Sequence, residues 1–136
     1  MISVFDGLGG AGGSKITSPK DTTNTHAYYG SRILRDCFVQ LSNANNKKVI
    51  TDKALLKKYI IDFMNEDLAN FSQKDVGMLS KKPTKLPTTF VTSVINESKS
   101  DLKLDILWAG DSRCFSMMPG QSITTLTKDD TKDSKD

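Results

Sequence analysis

The chain has 136 residues, enough for one domain with a hydrophobic core and too few for two. Hydrophobic residues make up 37% of it and charged residues 26%, which is ordinary for a globular domain. The net charge is only +3 and the lysines are interleaved with acidic residues, so we expect no nucleic-acid partner. No apolar run approaches the roughly 20 residues of a membrane helix, and no signal peptide is recognisable, so we expect no membrane partner.

The two cysteines give little sign of a bound metal. Cys37 and Cys114 lie far apart, without metal-ligand spacing. The pattern around them predicts that one lies on a helix and the other on a strand, both as buried free thiols. Reduced thiols are typical of a cytoplasmic protein.

The chain opens with a short apolar run that predicts a strand ending at Asp6. Glycines follow at once, and residues 11–24 are small and polar. We expect a loop over 11–24, with two interpretations open: a solvated insertion, or a flap beside a binding site.

Helical periodicity predicts two helices in the next part of the chain. The first begins near Thr25, with Asn24 or Thr25 as its cap, and ends in the polar residues 42–46. His26, the single histidine, falls in its first turn and is expected to be exposed and incidental. The second begins at Asp52, and the two helices are expected to pack antiparallel. The first helix should bury Ala27, Gly30, Leu34, Cys37, Phe38 and Leu41, and the second Leu55, Leu56, Tyr59, Ile60, Phe63, Met64, Leu68 and Phe71.

The last part of the chain has the alternating pattern of β-strands. Residues 72–87 are expected to form an extended loop, and residues 88–95 a strand. A turn at 96–101 leads to an alternating strand at 102–109, whose core face includes Trp108. Shorter strands at 113–118 and 122–126 complete a predicted meander. The polar tail, 128–136, is expected to fray.

Asp6 and Gly7 are the first candidates for chemistry. A carboxylate fixed at a strand end beside an open glycine backbone suits Mg²⁺ or Mn²⁺, which prefer hard oxygen ligands. The alternative is an ordinary Asp-Gly turn. The glycines formally match a dinucleotide-binding fingerprint, but the segment that follows is polar and contains Pro19, so it does not open the helix that such a site needs. The phosphate-loop pattern fails because Gly12 is followed by Gly13 rather than by lysine.

Four segments strengthen the first interpretation by their order along the chain. They are Val4-Phe5-Asp6-Gly7-Leu8-Gly9-Gly10, Pro87-Thr88-Thr89-Phe90, Gly110-Asp111-Ser112-Arg113 and Leu126-Thr127-Lys128-Asp129-Asp130-Thr131. In that order they resemble the metal-dependent protein phosphatases of the PPM (PP2C) family, whose motifs read V-F/A-D-G-M/H-G-G, G-[ST]-T, G-D-S-R and L-T-x-D-H-[ST]. Pro87 stands where the family has glycine, and Asp130 where it has histidine.

The resemblance implies a fold, an activity and a set of site residues. The implied fold is α+β, a PP2C-like α-β-β-α sandwich of antiparallel sheets with flanking antiparallel helices. The implied activity is hydrolysis of phosphoserine and phosphothreonine in protein substrates by a water held between two Mg²⁺ or Mn²⁺ ions. Asp6 matches the bridging carboxylate, Gly7 the residue whose carbonyl binds one ion, and Asp111 a ligand of a weaker third ion in some members. Arg113 is expected to tie down its turn by hydrogen bonds, and Thr89 to be structural.

The resemblance also implies that residues 1–136 form only part of a phosphatase domain. The family's opening segment and its late Asp-Gly and Asp-Asn motifs have no counterpart in this sequence. We therefore expect an incomplete sandwich, the first half of the domain, that is inactive on its own. The alternative is a catalytically silent phosphatase-like module that binds a phosphoprotein or a regulator. Uncovered strands at 102–109 and 113–118 lead us to expect self-association.

Overall fold

The computed structural model describes residues 1–71 and 86–129. These residues form α-helices and antiparallel β-sheets, so the α+β class is as predicted. They divide into two compact units, which we call the helical unit (Gly7–Thr88) and the strand unit (Met1–Asp6 with Thr89–Asp136). Within the described ranges, no helix is both long enough and apolar enough to cross a membrane.

The first helix of the helical unit, α1 (His26–Asn43), lies where its periodicity predicts. Thr25 caps it: the Thr25 hydroxyl accepts a hydrogen bond of 3.1 Å from the backbone N–H of Tyr28. All six positions predicted to face the core are buried, and Cys37 is completely inaccessible. An 18-residue amphipathic helix with a hydroxyl cap is therefore readable from sequence alone.

The second predicted helix is α3 (Lys53–Ala69), and a short helix that was not predicted, α2 (Lys47–Thr51), precedes it. One carboxylate oxygen of Asp52 accepts from the backbone N–H groups of Ala54 and Leu55, at 2.9 and 3.1 Å. The connection between the two predicted helices, expected to be an irregular polar segment, therefore contains the short helix α2. Five residues are too few for hydrophobic periodicity to reveal it.

The apolar stripe of α3 is less buried than predicted. Only Leu56 is fully buried, and Leu55 is 39% exposed. Four other stripe residues are half-buried against a cluster made by Ile16, Tyr29, Ile33 and Leu86; they are Phe63, Met64, Leu68 and Phe71. The stripe therefore packs against the core of this unit without being enclosed by it.

The predicted loop at 11–24 is wrong in part, because the segment forms a β-hairpin. A single 3-10 turn at Gly10–Gly12 leads into β2 (Lys15–Thr17), which pairs antiparallel with β3 (Thr23–Thr25). Hydroxyl groups join the two strands: Thr17 bonds Thr23 at 3.0 Å. Ile16 anchors the hairpin in the core. Neither the solvated-insertion interpretation nor the flap interpretation anticipated this packing.

The strand unit is built on β1 (Ile2–Gly7), β4 (Thr88–Glu97) and β5 (Leu102–Ala109), in the sheet order β1-β4-β5. β4 and β5 are antiparallel, with Val91 opposite Trp108 and Ile95 opposite Leu104. Their connection is the predicted turn, in which the Ser98 N–H donates to the Asp101 carbonyl at 2.9 Å. The two longest strands thus agree with the alternating pattern.

One face of this sheet differs from the prediction. The side chains of β5 that were expected in the core are exposed or half-exposed: Leu102 is 68% exposed and Leu104 39%. In β4 both faces are buried near its start, with Thr89 and Val91 on this face and Phe90 and Thr92 on the opposite one. Alternation identifies an apolar face, but it does not show that another element covers it.

The last two strands are much shorter than predicted. β6 (Phe115–Ser116) and β7 (Thr124–Thr125) pair only with each other, so they do not continue the β4–β5 meander. Cys114 lies just before β6 and is half-buried, which corrects its placement on a strand as a buried thiol. The predicted loop at 72–85 and the tail at 130–136 lie outside the described residues.

Candidate functional site

Asp6 lies at the end of β1, as predicted, with its side chain exposed. Asp6 ends the first of the two segments that form the strand unit, and Gly7 is the first residue of the helical unit. The prediction of a carboxylate at a strand end, followed by glycine, therefore matches the local structure. Exposure leaves the carboxylate accessible to a ligand from solvent.

Gly7 has a packing role that does not depend on a metal. A β-carbon at this position would collide with the carbonyl of Ala27, whose carbon atom would lie 2.7 Å away. Gly12 is confined in the same way, because its β-carbon would lie 2.8 Å from Cγ of Pro87 and 2.9 Å from Cβ of Ala27. The glycine-rich segment thus lets the chain pass close to the start of α1.

The first and second motif segments meet within the helical unit. The N–H of Leu8 donates a hydrogen bond of 3.2 Å to the carbonyl of Pro87. Pro87 stands where the resembled family has glycine. Proline has no backbone N–H, but its carbonyl can still accept this hydrogen bond.

The second and third motif segments meet within the strand unit. Thr89 is buried, and its hydroxyl lies 2.7 Å from the hydroxyl of Ser112. Gly110 has φ +83°, and a β-carbon there would lie 2.5 Å from Cγ2 of Thr89. Thr89 is thus structural, as predicted. Its side chain fills the space beside Gly110, and its hydroxyl is hydrogen-bonded to Ser112. Asp111, between these anchored neighbours, is exposed.

The third and fourth motif segments are joined by a forked ion pair. Nε and Nη2 of Arg113 donate to the two carboxylate oxygens of Asp129, at 3.1 and 3.0 Å. This is the contact expected of a residue that ties down its turn. The fork shape of guanidinium and carboxylate fixes the relative position of both segments, which a single contact would not do.

Two further hydrogen bonds reinforce the same junction. The buried hydroxyl of Thr127 accepts from the N–H of Cys114 at 2.9 Å. Trp108 Nε1 donates to the carbonyl of Lys128 at 2.7 Å. Residues 128 and 129 are therefore held in place, contrary to the predicted fraying from residue 128 onward.

The metal ligands implied by the resemblance are present singly, and together they do not make a complete centre. Asp6 and Asp111 offer hard carboxylate oxygens, which suit Mg²⁺ or Mn²⁺. Within residues 1–71 and 86–129, however, no three His, Cys, Asp or Glu side chains form a group that could hold a metal ion. The chemistry of the donors fits such an ion, while their number does not.

His26 is half-buried rather than exposed. Its Nδ1 lies 2.8 Å from the carbonyl of Ser14 and 2.9 Å from the Ser14 hydroxyl, so it holds the 3-10 turn region to the start of α1. Nε2 is buried and has no hydrogen-bond partner among residues 1–71 and 86–129. The contacts to Ser14 give His26 a local structural role.

A cavity of about 500 Å³ lies in the helical unit, and none of the predicted site residues is part of its lining. Its lining combines carboxylates, amides and two stacked rings: Gln40, Tyr59, Asp62, Phe63, Glu66, Asp67 and Asn70. Burial, and then the negative charges of Glu66 and Asp36, raise the pKa of Asp67. The hydrophobic periodicity of α3 gave no indication of this acidic surface.

Comparison with known proteins identifies no relative of this chain. No family model, no curated protein and no solved structure matches it. The assignment to the PPM family therefore stays a prediction from the four motif segments.

Sequence reasoning missed the partners that hold the candidate site together. Ser112, Thr127 and Asp129 lie within the motif segments, but no role was assigned to them. Each makes a side-chain hydrogen bond to another motif segment or to the turn that follows one. These three are polar motif residues that are not assigned as metal ligands. A polar motif residue without a metal-binding role is the signal that could have indicated such structural contacts.

Proposed function

We propose that this chain is part of the catalytic domain of a PPM-type metal-dependent phosphatase, which hydrolyses phosphoserine and phosphothreonine in proteins. The proposal includes the finer fold, a partial α-β-β-α sandwich. Asp6, the Gly7 carbonyl and Asp111 are the ligands that the chain would contribute. Asp6 is the most important of them, because the resemblance assigns it to both ions of the pair.

The observation that supports this proposal is the chain of contacts between the four motif segments. Leu8 bonds Pro87, Thr89 bonds Ser112, and Arg113 pairs with Asp129. Each contact joins one motif segment to the next in sequence order. A common site requires such contacts between segments that lie up to about 80 residues apart in sequence, so the contacts are compatible with the proposal.

The chemistry of the site follows from the donors that the chain supplies. A bound metal pair would provide an activated water and neutralise charge on the phosphoryl oxygens. Asp6 and Asp111 are exposed carboxylates on the strand unit, where hard cations are accessible to them. The remaining ligands would have to come from outside the described residues, so we derive no catalytic step from this chain alone.

A catalytically silent phosphatase-like module is the second candidate. It is favoured by the packing roles of Gly7 and Gly110, which explain both motif glycines without a metal. In a silent relative the four segments would be retained because they hold the structure together. Phosphoprotein or regulator binding would then be the function of the module.

Activity of the natural gene product that contains this chain distinguishes the two candidates. We expect Mn²⁺-dependent hydrolysis of p-nitrophenyl phosphate and of a phosphothreonine peptide. Asp6→Asn should lower kcat at least about a hundredfold, because metal catalysis supplies several kcal/mol of transition-state stabilisation. Asp36→Asn, which alters an exposed carboxylate of the helical unit, is the matched control and should stay within about twofold of wild type.

Each outcome has one meaning. A folded wild-type protein without Mn²⁺-dependent turnover would refute the enzyme and leave the silent module. Turnover that survives Asp6→Asn in a folded variant would keep the enzyme and remove Asp6 from its site.

A further inference from the structure

The outer edge of β5 has no strand beside it among residues 1–71 and 86–129. In the sheet order β1-β4-β5, this strand pairs with β4 on one side only. It is eight residues long and regular, so its outward N–H and C=O groups form a template for another strand. Such an edge is a place where a second chain can add to the sheet.

One face of the same sheet is apolar and open to solvent; we call it the open face. Ser3 bonds Thr92, so these two share the opposite face, and alternation along each strand then places the remaining residues. The open face carries Ile2, Val4, Ile95, Leu102, Leu104, Ile106 and Trp108, together with the polar Asp6, Ser93 and Glu97 and the buried Val91. Ile2 is 64% exposed and Leu102 is 68% exposed.

We propose that β5 pairs antiparallel with the β5 of a second copy of this chain, about a two-fold axis at Leu104. The sequence around that residue is complementary to itself. It reads Leu102-Lys103-Leu104-Asp105-Ile106, with opposite charges on either side of the central leucine and an apolar residue at each end. The inference does not depend on the proposed phosphatase function.

The register at Leu104 matches both faces of the sheet at once. On one face, Lys103 lies opposite the partner's Asp105, and symmetry repeats the pair. On the open face, Leu104 lies opposite the partner's Leu104, and Leu102 opposite the partner's Ile106. Cross-strand pairs of these kinds are the unit of sheet stabilisation.

The neighbouring symmetric registers are electrostatically worse. An axis at Lys103 would place two lysines directly opposite each other, and an axis at Asp105 would place two aspartates opposite each other. Within one chain, Lys103 Nζ already lies 3.1 Å from Asp105 Oδ1, and the Lys103 side chain is 72% exposed. The charges are therefore positioned on the correct face and are accessible to a partner.

The rest of the strand is compatible with this pairing. The five residues from 102 to 106 are enough for an ordinary strand pair. Trp108, which donates to the Lys128 carbonyl, lies beyond the paired segment. The pairing joins two three-stranded sheets into one of six strands.

Charge reversal and rescue test the inference in the full 136-residue chain. Sedimentation over a concentration series should give a dimer, at twice the 15.0 kDa of one chain. Lys103→Asp gathers four carboxylates around the axis, and it should weaken dimerisation at least about tenfold. The double variant Lys103→Asp with Asp105→Lys recreates both cross-strand pairs and should restore the dimer. Lys99→Asp, in the exposed hairpin turn, is the matched control and should leave it unchanged.

A cross-link tests the register itself. In a Cys114→Ser background, Leu104→Cys places two thiols at directly opposed positions, with Cα atoms about 4.5–5.5 Å apart, within disulfide range. Oxidation should give a covalent dimer, whereas Ile2→Cys should give none. A monomer at high concentration would overturn the inference. A dimer that ignores both charge variants and does not cross-link at 104 would also overturn it, since the copies would then associate through another surface.

Discussion

Substitutions at Gly110 and Gly120 can distinguish the cost of backbone strain from the cost of steric conflict. Both have positive φ, at +83° and +76°, a conformation that disfavours every residue with a side chain. At Gly110 a β-carbon would also meet Thr89, whereas no atom of the described residues lies within 4 Å of one at Gly120. Strain therefore acts at both positions, and steric conflict at Gly110 alone.

We expect Gly110→Ala to be clearly more destabilising than Gly120→Ala. Strain alone should cost about 1–2 kcal/mol at either position, and overpacking against Thr89 should add about 1–3 kcal/mol at Gly110. Urea unfolding of the two variants measures the difference. Equal losses would show that Thr89 moves aside and that the motif glycine is needed only for its conformation.

Cys37 is the residue whose ionisation the structure controls most strongly. It is inaccessible in α1, and burial, followed by the charge of Asp67, raises the pKa of its thiol from 9.0 to about 12. The folded protein thus keeps this proton at a pH where the unfolded chain loses it. Stability gained from this group is complete below pH 9 and is lost as the pH rises toward 12.

The free energy of unfolding should therefore fall between about pH 9 and pH 12 by at most about 1.4 kcal/mol per pH unit from this thiol. Cys37→Ala removes the titrating group and should flatten the profile relative to wild type. Urea unfolding of both proteins at about pH 8 and about pH 10.5 gives the comparison. Parallel profiles would show that the Cys37 thiol ionises in the folded state as readily as in the unfolded one.

At the scale of elements, the Arg113–Asp129 pair joins the turn after β5 to the segment after β7. Its side chains are 50% and 40% exposed, which limits its contribution. Its two-point geometry is better than that of Lys58–Asp62, an exposed pair one helical turn apart on α3. The pair therefore acts mainly by fixing geometry.

A double-mutant cycle should give a coupling energy of about 0.5–1 kcal/mol for Arg113→Ala with Asp129→Ala. The same cycle on Lys58 and Asp62 should give about 0.3–0.5 kcal/mol. Both values should shrink in about 1 M salt, because the pairs are exposed. Zero coupling between Arg113 and Asp129 at low salt would mean that the fourth motif segment is held by Thr127 and Trp108 instead.

The elements with a strong period were the ones that could be predicted. α1, α3, β4 and β5 each have eight or more residues, and cap or turn residues mark their limits. The β2–β3 hairpin was missed because hydroxyl pairs such as Thr17–Thr23 hold it together, and these leave no hydrophobic period. β6 and β7 were predicted too long because the apolar residues Met117, Met118 and Ile123 adjoin them in sequence, although all three are exposed.

The candidate site was predictable in its positions and not in its contacts. Asp6, Gly7 and Asp111 lie at a strand end and a turn, as their neighbours in sequence indicate. The partnership of Arg113 with Asp129 depends on how the chain returns after β7. No local pattern contains that information.

At the scale of the whole molecule, two acidic regions are the places at which to test for a bound divalent ion. One comprises Asp6 and Asp111 of the strand unit, which the four motif segments single out. The other is the acidic wall of the α3 cavity, with Asp62, Glu66 and Asp67. A single carboxylate side chain binds Mn²⁺ weakly in either region. The position at which Mn²⁺ binds therefore distinguishes the two regions better than its binding affinity does.

Paramagnetic broadening by Mn²⁺ in the amide spectrum of the 136-residue chain is the most direct test of the central claim, that Asp6 is a metal ligand. At sub-stoichiometric Mn²⁺ we predict that the amide signals of Asp6, Gly7 and Leu8 broaden first, and that Asp6→Asn abolishes this effect. The signals of Glu66 and Asp67 should broaden only at higher concentration. If Glu66 and Asp67 broaden first, and Asp6→Asn changes nothing, the metal-ligand role of Asp6 is wrong.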